Sequence, residues 1–250
     1  MNPVLKRKIA SFKNNKRALT ALVLFMIVFI LSLFSELLAN DKPLVIKYEN
    51  ELYFPIFTEY TDEFFGGDFP TPADYKDPLI VSNIQNNGWM IMPIIPFSYN
   101  TVDYEIDAPA PTKPDKTHWL GTDDEGRDIV ARILYGIRLS VVFAFILTFV
   151  SSLIGIVIGA VQGYFGGKTD IILQRFIEVW ESLPQLFILI IIASVFLPNF
   201  WTLLIILMLF SWTSLTSMVR AEFLRTRNFE YVKAAKALGV SNFRIIFKHI

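Results

Sequence analysis

The stretch LSVVFAFILTFVSSLIGIVIGA, Leu139 to Ala160, carries no charged residue. At a helical rise of about 1.5 Å per residue it is long enough to cross the roughly 30 Å hydrocarbon core of a bilayer. Within it and just beyond, Ser151, Gly155, Gly159 and Gly163 recur at every fourth position. Small residues on one stripe let two helix backbones approach closely, so the leading reading is tight packing inside a helix bundle. A direct role in a transmembrane pathway is the alternative.

Similar runs lie on either side. Ala18 to Ala39, ALTALVLFMIVFILSLFSELLA, has one charge, Glu36, near its end. It exceeds the roughly 7–15 apolar residues of a cleaved signal peptide and predicts an uncleaved anchor. Residues 1–17 hold six Lys/Arg and no acid, which places a basic N-terminus in the cytoplasm. Further spans are predicted over 176–198, with Pro184 near its start as a kink, and over 200–220. The fourth span ends in the hydroxyl-rich SWTSLTSM. Its Ser211, Ser214 and Ser217 either line a solvated path or bond within their own helix.

Composition agrees with a membrane protein: 53% of residues are hydrophobic, 18% are charged, and mean hydropathy is +0.46. Residues 40–137 form the polar exception, with 17 Asp/Glu against 7 Lys/Arg. Alternation of the spans puts this segment in the periplasm, and puts 163–175 and 221–250 in the cytoplasm. PLVIKYENELYFPIF and WMIMPIIPFSYNTVDYEI predict short strands there, and APAPTKPDK, from Ala108, an extended connector. The ordered motif HWLGTDDEGRDIVARILYGIRLS, from His118, offers capping-box spacing between Thr122 and Glu125, several acids that could cap instead, and an i,i+4 pair of Asp128 and Arg132. It predicts an amphipathic interfacial helix leading into the span 138–162. Arg127, Arg132 and Arg138 run against the positive-inside trend.

Catalytic signals are absent. The chain has no cysteine, which excludes disulfides and thiol chemistry, and its two histidines, His118 and His249, fall on opposite sides of the membrane. Gly167-Lys168-Thr169 imitates the end of a phosphate loop, but Gln162 occupies the position of the first glycine and a membrane helix precedes it, so a glycine-rich turn is predicted. The cores of the second and fourth spans, Leu139–Ala160 and Trp201–Val219, hold no ionisable group, unlike ion-coupled carriers, so any transport draws its energy from another subunit.

The tail FEYVKAAKALGVSNFRIIFKHI, Phe229 to Ile250, reads as a helix to Leu238, a stop at Gly239, and a second helix to Ile250 capped by Ser241 or Asn242. Tyr231, Leu238, Phe243 and Phe247 supply apolar anchors for a groove on another protein. Ala235 and Gly239, four apart, predict a close-packed turn.

The His118 motif resembles the segment preceding the second span in permeases of the dipeptide/oligopeptide/nickel class of ABC importers. The tail Lys233-Ala234-Ala235-Lys236-Ala237-Leu238-Gly239 resembles that family's cytoplasmic EAA coupling loop. Lys233 stands where the motif has glutamate, and Glu230 lies one turn earlier. QGYFGGKTD, QRFIEVWESLP and the polar segment with NDKPL, GGDFP, ADYKDP and NNGWM resemble the Yej-type subgroup, associated with oligopeptide and microcin C uptake. The resemblance implies an all-α polytopic inner-membrane permease of the type I importer fold with a β-containing periplasmic insert. About six spans are expected in all, with roughly two beyond Ile250, where the motif's Leu-Pro end is also expected. It implies no enzymatic activity and no cofactor on this chain. ATP and Mg would belong to two ATPase partners, beside a second permease subunit and a periplasmic peptide-binding protein in the lipid bilayer; no nucleic acid is implied. The coupling residues would be Glu230, Tyr231, Ala234, Ala235, Leu238 and Gly239. A membrane-anchored receptor or assembly protein, binding a ligand through the polar segment, is the competing class.

Overall fold

The structure is a computed structural model and describes residues 3–106, 108–197 and 199–250. It divides into two units, residues 1–141 and 142–250. In the first, α1 (Pro3–Asn14) precedes α2 (Lys16–Leu33), and the Asn15 side chain caps α2 by accepting from the Ala18 N–H at 3.2 Å. The basic leader is therefore helical, which its charge had not disclosed. Helix α2 is apolar enough to span a bilayer and is exposed on nearly every side. The apolar run does not continue to Ala39 as one helix. It breaks at Phe34 and resumes as α3 (Ser35–Leu38). Ser32 Oγ bonds back to the Phe29 carbonyl at 2.7 Å, a local competitor for the helix ladder just before the break.

The polar insert has its own core. Strands β1 (Val45–Tyr48) and β2 (Glu51–Tyr53) form a hairpin whose two turn residues, Glu49 and Asn50, both take positive φ (46° and 72°). Positive φ at both turn positions matches the right-handed twist of the strands. After a 3₁₀ turn, Asp62–Phe65, helix α4 (Pro78–Asn87) starts with Asp77 accepting from the Leu79 N–H at 2.8 Å. Strand β3 (Gly88–Ile91) then pairs antiparallel with the free edge of β1, giving the order β2-β1-β3. Phe65 is fully buried with Ile46, Tyr75, Ile80 and Ile84, and Tyr48, Tyr53, Tyr60 and Tyr75 meet its ring edge-on. This aromatic cluster gives the small fold its core without any disulfide. Of the stretch expected to be strand over 89–106, only the first residues pair in the sheet. Helix α4 was not anticipated.

The segment after β3 returns to the end of α3: the Ile95 N–H bonds to the Leu38 carbonyl at 2.9 Å, and the Asn40 N–H bonds to the Ile95 carbonyl at 3.1 Å. Here the sequence reading needs correction. The Thr122–Glu125 pair forms no capping box. Thr122 Oγ1 instead accepts from the Thr112 N–H at 3.0 Å, tying the proline-rich connector to the motif. The helix begins later, as α5 (Ile129–Phe165), with Asp128 accepting from the Ala131 N–H at 2.8 Å. Asp128 also holds His118 Nδ1 at 2.8 Å, while Asp103 faces His118 Nε2 at 3.1 Å and Phe97 packs on the ring. Helix α5 runs from this junction into the apolar stretch without a break. Arg132 pairs with Asp123 rather than Asp128. Arg127 also reaches Asp123, at 2.9 Å, and Arg138 Nη1 grips both carboxylate oxygens of Glu36 at 2.7 Å. The three arginines that ran against the positive-inside trend are thus neutralised by acidic partners.

In the second unit α5 continues to Phe165 and is followed by α6 (Gly167–Glu181), α7 (Gln185–Val195) and α8 (Phe200–Thr226). The loop expected over 163–175 is therefore mostly helix, and the turn at Gly166 is a single residue at φ 62°. Helices α6 and α7 are bent by 63° across Ser182–Pro184, as in a broken span or a re-entrant loop. Helix α8 extends past 220 to Thr226. Pro198, at the expected turn before it, lies outside the described residues. Among the described residues, three helices are long and apolar enough to cross a membrane, four if the bent pair counts as one span.

Asp123 offers a test of the junction. Burial alone raises its pKa, but the Arg127 N–H and guanidinium and the Glu125 N–H outweigh this and hold the carboxyl at about 2. A folded pKa below the unfolded value of about 3.9 contributes stability above that value, and the contribution is lost as pH falls through about 2. Asp123→Asn should lower stability near neutral pH, and its deficit against the native chain should shrink between about pH 4 and pH 2. Trp89 and Trp119 fluorescence during denaturant unfolding reads this out, and a deficit unchanged at the lowest pH would contradict it.

Candidate functional site

Three glycines of the stripe lie directly on α8. A Cβ on Gly155 would sit 2.7 Å from the Trp212 carbonyl oxygen, one on Gly159 2.6 Å from that of Thr216, and one on Gly163 2.6 Å from that of Arg220. Both helices advance four residues per contact, so the backbones run together for about two turns. Ser151, one turn earlier, is buried, and its Oγ has no partner among the described residues. Thr216 is fully buried in the same contact and bonds back to the Trp212 carbonyl at 2.9 Å.

Ser211, Ser214 and Ser217 take another face of α8. Their hydroxyls donate to carbonyls of their own helix: Leu207 at 2.6 Å, Ser211 at 3.2 Å and Ser214 at 3.1 Å. Ser214 and Ser217 are exposed while Trp212, Thr213 and Thr216 are buried. The three serines therefore form a ridge, half-buried at Ser211 and exposed at Ser214 and Ser217, whose donors are already engaged.

Helix α6 is fastened to α8 at two levels. The Asp170 carboxylate accepts from Arg220 Nε at 2.5 Å and Nη2 at 2.8 Å, and Trp180 Nε1 donates to the Leu209 carbonyl at 2.9 Å while its ring stacks on Phe210. Gln162 of α5 is fully buried and donates to the Asp170 carbonyl at 3.3 Å and to Gln174 at 3.0 Å. The Gly167-Lys168-Thr169 segment forms the first turn of α6.

The tail forms α9 (Glu230–Ala237), a turn, α10 (Asn242–Arg244) and a π-helical turn, Ile245–His249. Gly239 ends α9 at φ 76°. The Val240 N–H reaches back to the Ala235 carbonyl at 3.1 Å and the Gly239 N–H to Lys236 at 3.0 Å, a Schellman closure. Space around Gly239 is open, so its backbone angle, not close packing, demands glycine. Ser241 stands at the N-cap position of α10 without a capping bond, and Asn242 is engaged elsewhere. The His249 side chain lies outside the described residues.

What holds this element in place is Tyr164, near the end of α5. It is 3% exposed, its hydroxyl donates to Asn242 Oδ1 at 2.6 Å, and it packs with Val232, Ala235 and Ile245. The Lys236 ammonium lies 5.0 Å from the ring centroid. Arg227 Nη1 donates to the carbonyls of Gly163 and Tyr164 at 3.3 and 3.4 Å. Ala235 therefore belongs to the inner seam, while the space beside Gly239, four residues on, is open. Glu230, Tyr231, Ala234, Leu238 and Gly239 face outward, as do Phe243 and Phe247. Sequence reasoning missed Tyr164 because one tyrosine at the end of an apolar helix carries no periodic signal.

Residues 151–250 match the family described as the binding-protein-dependent transport system inner membrane component. The chain belongs to this family and is a permease subunit of an ABC transport system. It is 48% identical over its whole length to the inner membrane ABC transporter permease protein YejE of Escherichia coli, covering 73% of that protein. It is 46% identical to the peptidoglycan transport system permease protein YejE of Agrobacterium fabrum, with 100% of the chain and 71% of the relative matched. The oligopeptide transport system permease protein OppC of Haemophilus influenzae is 37% identical over 62% of this chain and 50% of its own.

The glycine contact makes a matched pair of variants informative. Gly159→Ala places a methyl against the Thr216 carbonyl and should destabilise by roughly 1–3 kcal/mol. Gly136→Ala, on the same helix with nothing within 4 Å, should be neutral or slightly stabilising. Unfolding in detergent measures both, and equal effects would refute the packing account.

Proposed function

We propose that this permease conducts peptides or peptide-like compounds inward and that its C-terminal helix-turn-helix receives the stroke of an ATPase subunit. The observation that carries this reading is the Tyr164 clamp. It buries one side of the element and leaves Tyr231, Leu238, Phe243 and Phe247 exposed at 50%, 84%, 72% and 66%. Four large apolar side chains on a clamped, basic element suit a groove on another protein. The substrate class rests on the names of the relatives, which speak of oligopeptide, dipeptide and peptidoglycan transport.

In this reading two ATPase subunits carry ATP and Mg, and this chain binds no cofactor of its own. A second permease subunit completes the path, and a periplasmic binding protein delivers peptide to the outer side, where the polar insert resides. The N-terminus and the α9–α10 element are cytoplasmic, and further spans complete the bundle. The Ser211, Ser214 and Ser217 ridge on α8 faces the path. Closure of the ATPase pair would press on the anchors, pass through the buried Tyr164–Asn242 contact, and move α5 and α8 as one body because their backbones interlock.

The test uses the complex reconstituted in vesicles. Gly239→Val forces a β-branched residue into the left-handed region, a cost of roughly 1–3 kcal/mol. It should reduce peptide-stimulated ATP hydrolysis and uptake together at normal complex abundance. Single cysteines add the orientation: Asn86→Cys should react with an impermeant maleimide in spheroplasts, and Asn228→Cys should not. Unaltered coupling in Gly239→Val, or the reverse labelling pattern, would overturn the proposal.

A further inference from the structure

Helix α1 plays no part in the transport reading. Its sequence, PVLKRKIASFKN, places Leu5, Ile9 and Phe12 on one stripe, and all three are exposed (49%, 40% and 43%). Lys8 flanks this stripe on one side and Lys6 and Lys13 on the other, while Arg7 and Asn14 project from the opposite face. Only Asn15 separates α1 from α2, and one residue spans at most about 3.6 Å. The helix is thus held within a turn of a segment that sits in lipid.

An apolar stripe bordered by lysines suits the plane of a bilayer surface. The stripe reaches the acyl boundary, the lysine stems lie along apolar surface, and their ammonium groups meet headgroup phosphates. We infer that α1 is an interfacial helix that binds a bilayer surface bearing anionic lipid headgroups. Two observations select lipid over a protein groove. The helix is continuous with α2, whose flanks are open on nearly all sides. Residues 1–17 carry six cations and no acid, the complement of an anionic headgroup layer.

The full chain, which has no cysteine, permits a direct test. Spin labels are placed singly through Leu5→Cys, Arg7→Cys, Ile9→Cys, Phe12→Cys and Asn14→Cys in nanodiscs of mixed phosphatidylcholine and phosphatidylglycerol. Labels at 5, 9 and 12 should collide with oxygen several-fold more than with a water-soluble nickel chelate, and labels at 7 and 14 should show the reverse. Pure phosphatidylcholine, or high salt, should reduce the contrast several-fold. Nickel dominance at all five positions would overturn the inference, leaving a solvated helix. Low collision with both reagents at 5, 9 and 12 would overturn it in favour of a protein cover. A contrast unchanged in phosphatidylcholine alone would refute the anionic headgroup as ligand.

Discussion

The close approach of α5 to α8 is the contact on which the second unit depends. Lipid supplies no hydrophobic force to press two apolar helices together, so association relies on dispersion and on backbone proximity. Three glycines provide that proximity by leaving the space that carbonyl oxygens of Trp212, Thr216 and Arg220 require. Consequences follow along both helices. Beyond Thr216, α8 presents Arg220 to Asp170 and thereby fixes α6. Beyond Gly163, α5 presents Tyr164 to the C-terminal element. That element therefore rests on a packed pair of helices.

Paired charge is the second recurring device. Glu36 is the one charge of the first apolar run, and Arg138 stands immediately before the uncharged stretch of α5. Each alone at a bilayer boundary would be poorly solvated, and together they form a charge-assisted pair that ties α3 to α5. Tyr135 reinforces the join by donating to the Ala39 carbonyl at 3.0 Å. His118 does comparable work in the insert. It lies between Asp103 and Asp128, and Asp128 also caps α5, so the irregular segment and the helix start share one buried hydrogen-bond network.

Length and apolar composition by themselves determined the membrane class, the number of candidate spans and the position of the polar insert, because those properties depend on transfer of local segments into lipid. The four-residue glycine stripe and the stop at Gly239 were also legible, since each follows from helix geometry or from a single residue's φ. The serine ridge on α8 was legible as a periodicity, though not which way its hydroxyls would turn.

Tertiary structure decided what depends on partners distant in the chain. Thr122 had the spacing of a capping residue, but Thr112 claimed its hydroxyl, so the helix start moved to Asp128. Arg132 had a local partner in Asp128 and took Asp123 instead, because His118 already occupied Asp128. Ala235 had the spacing to face the turn at Gly239 and packs instead on Tyr164, 71 positions earlier in sequence. In each case two groups competed for one partner. Local sequence shows the nearest competitor, whereas the folded chain brings in the one that satisfies more buried polar or apolar surface.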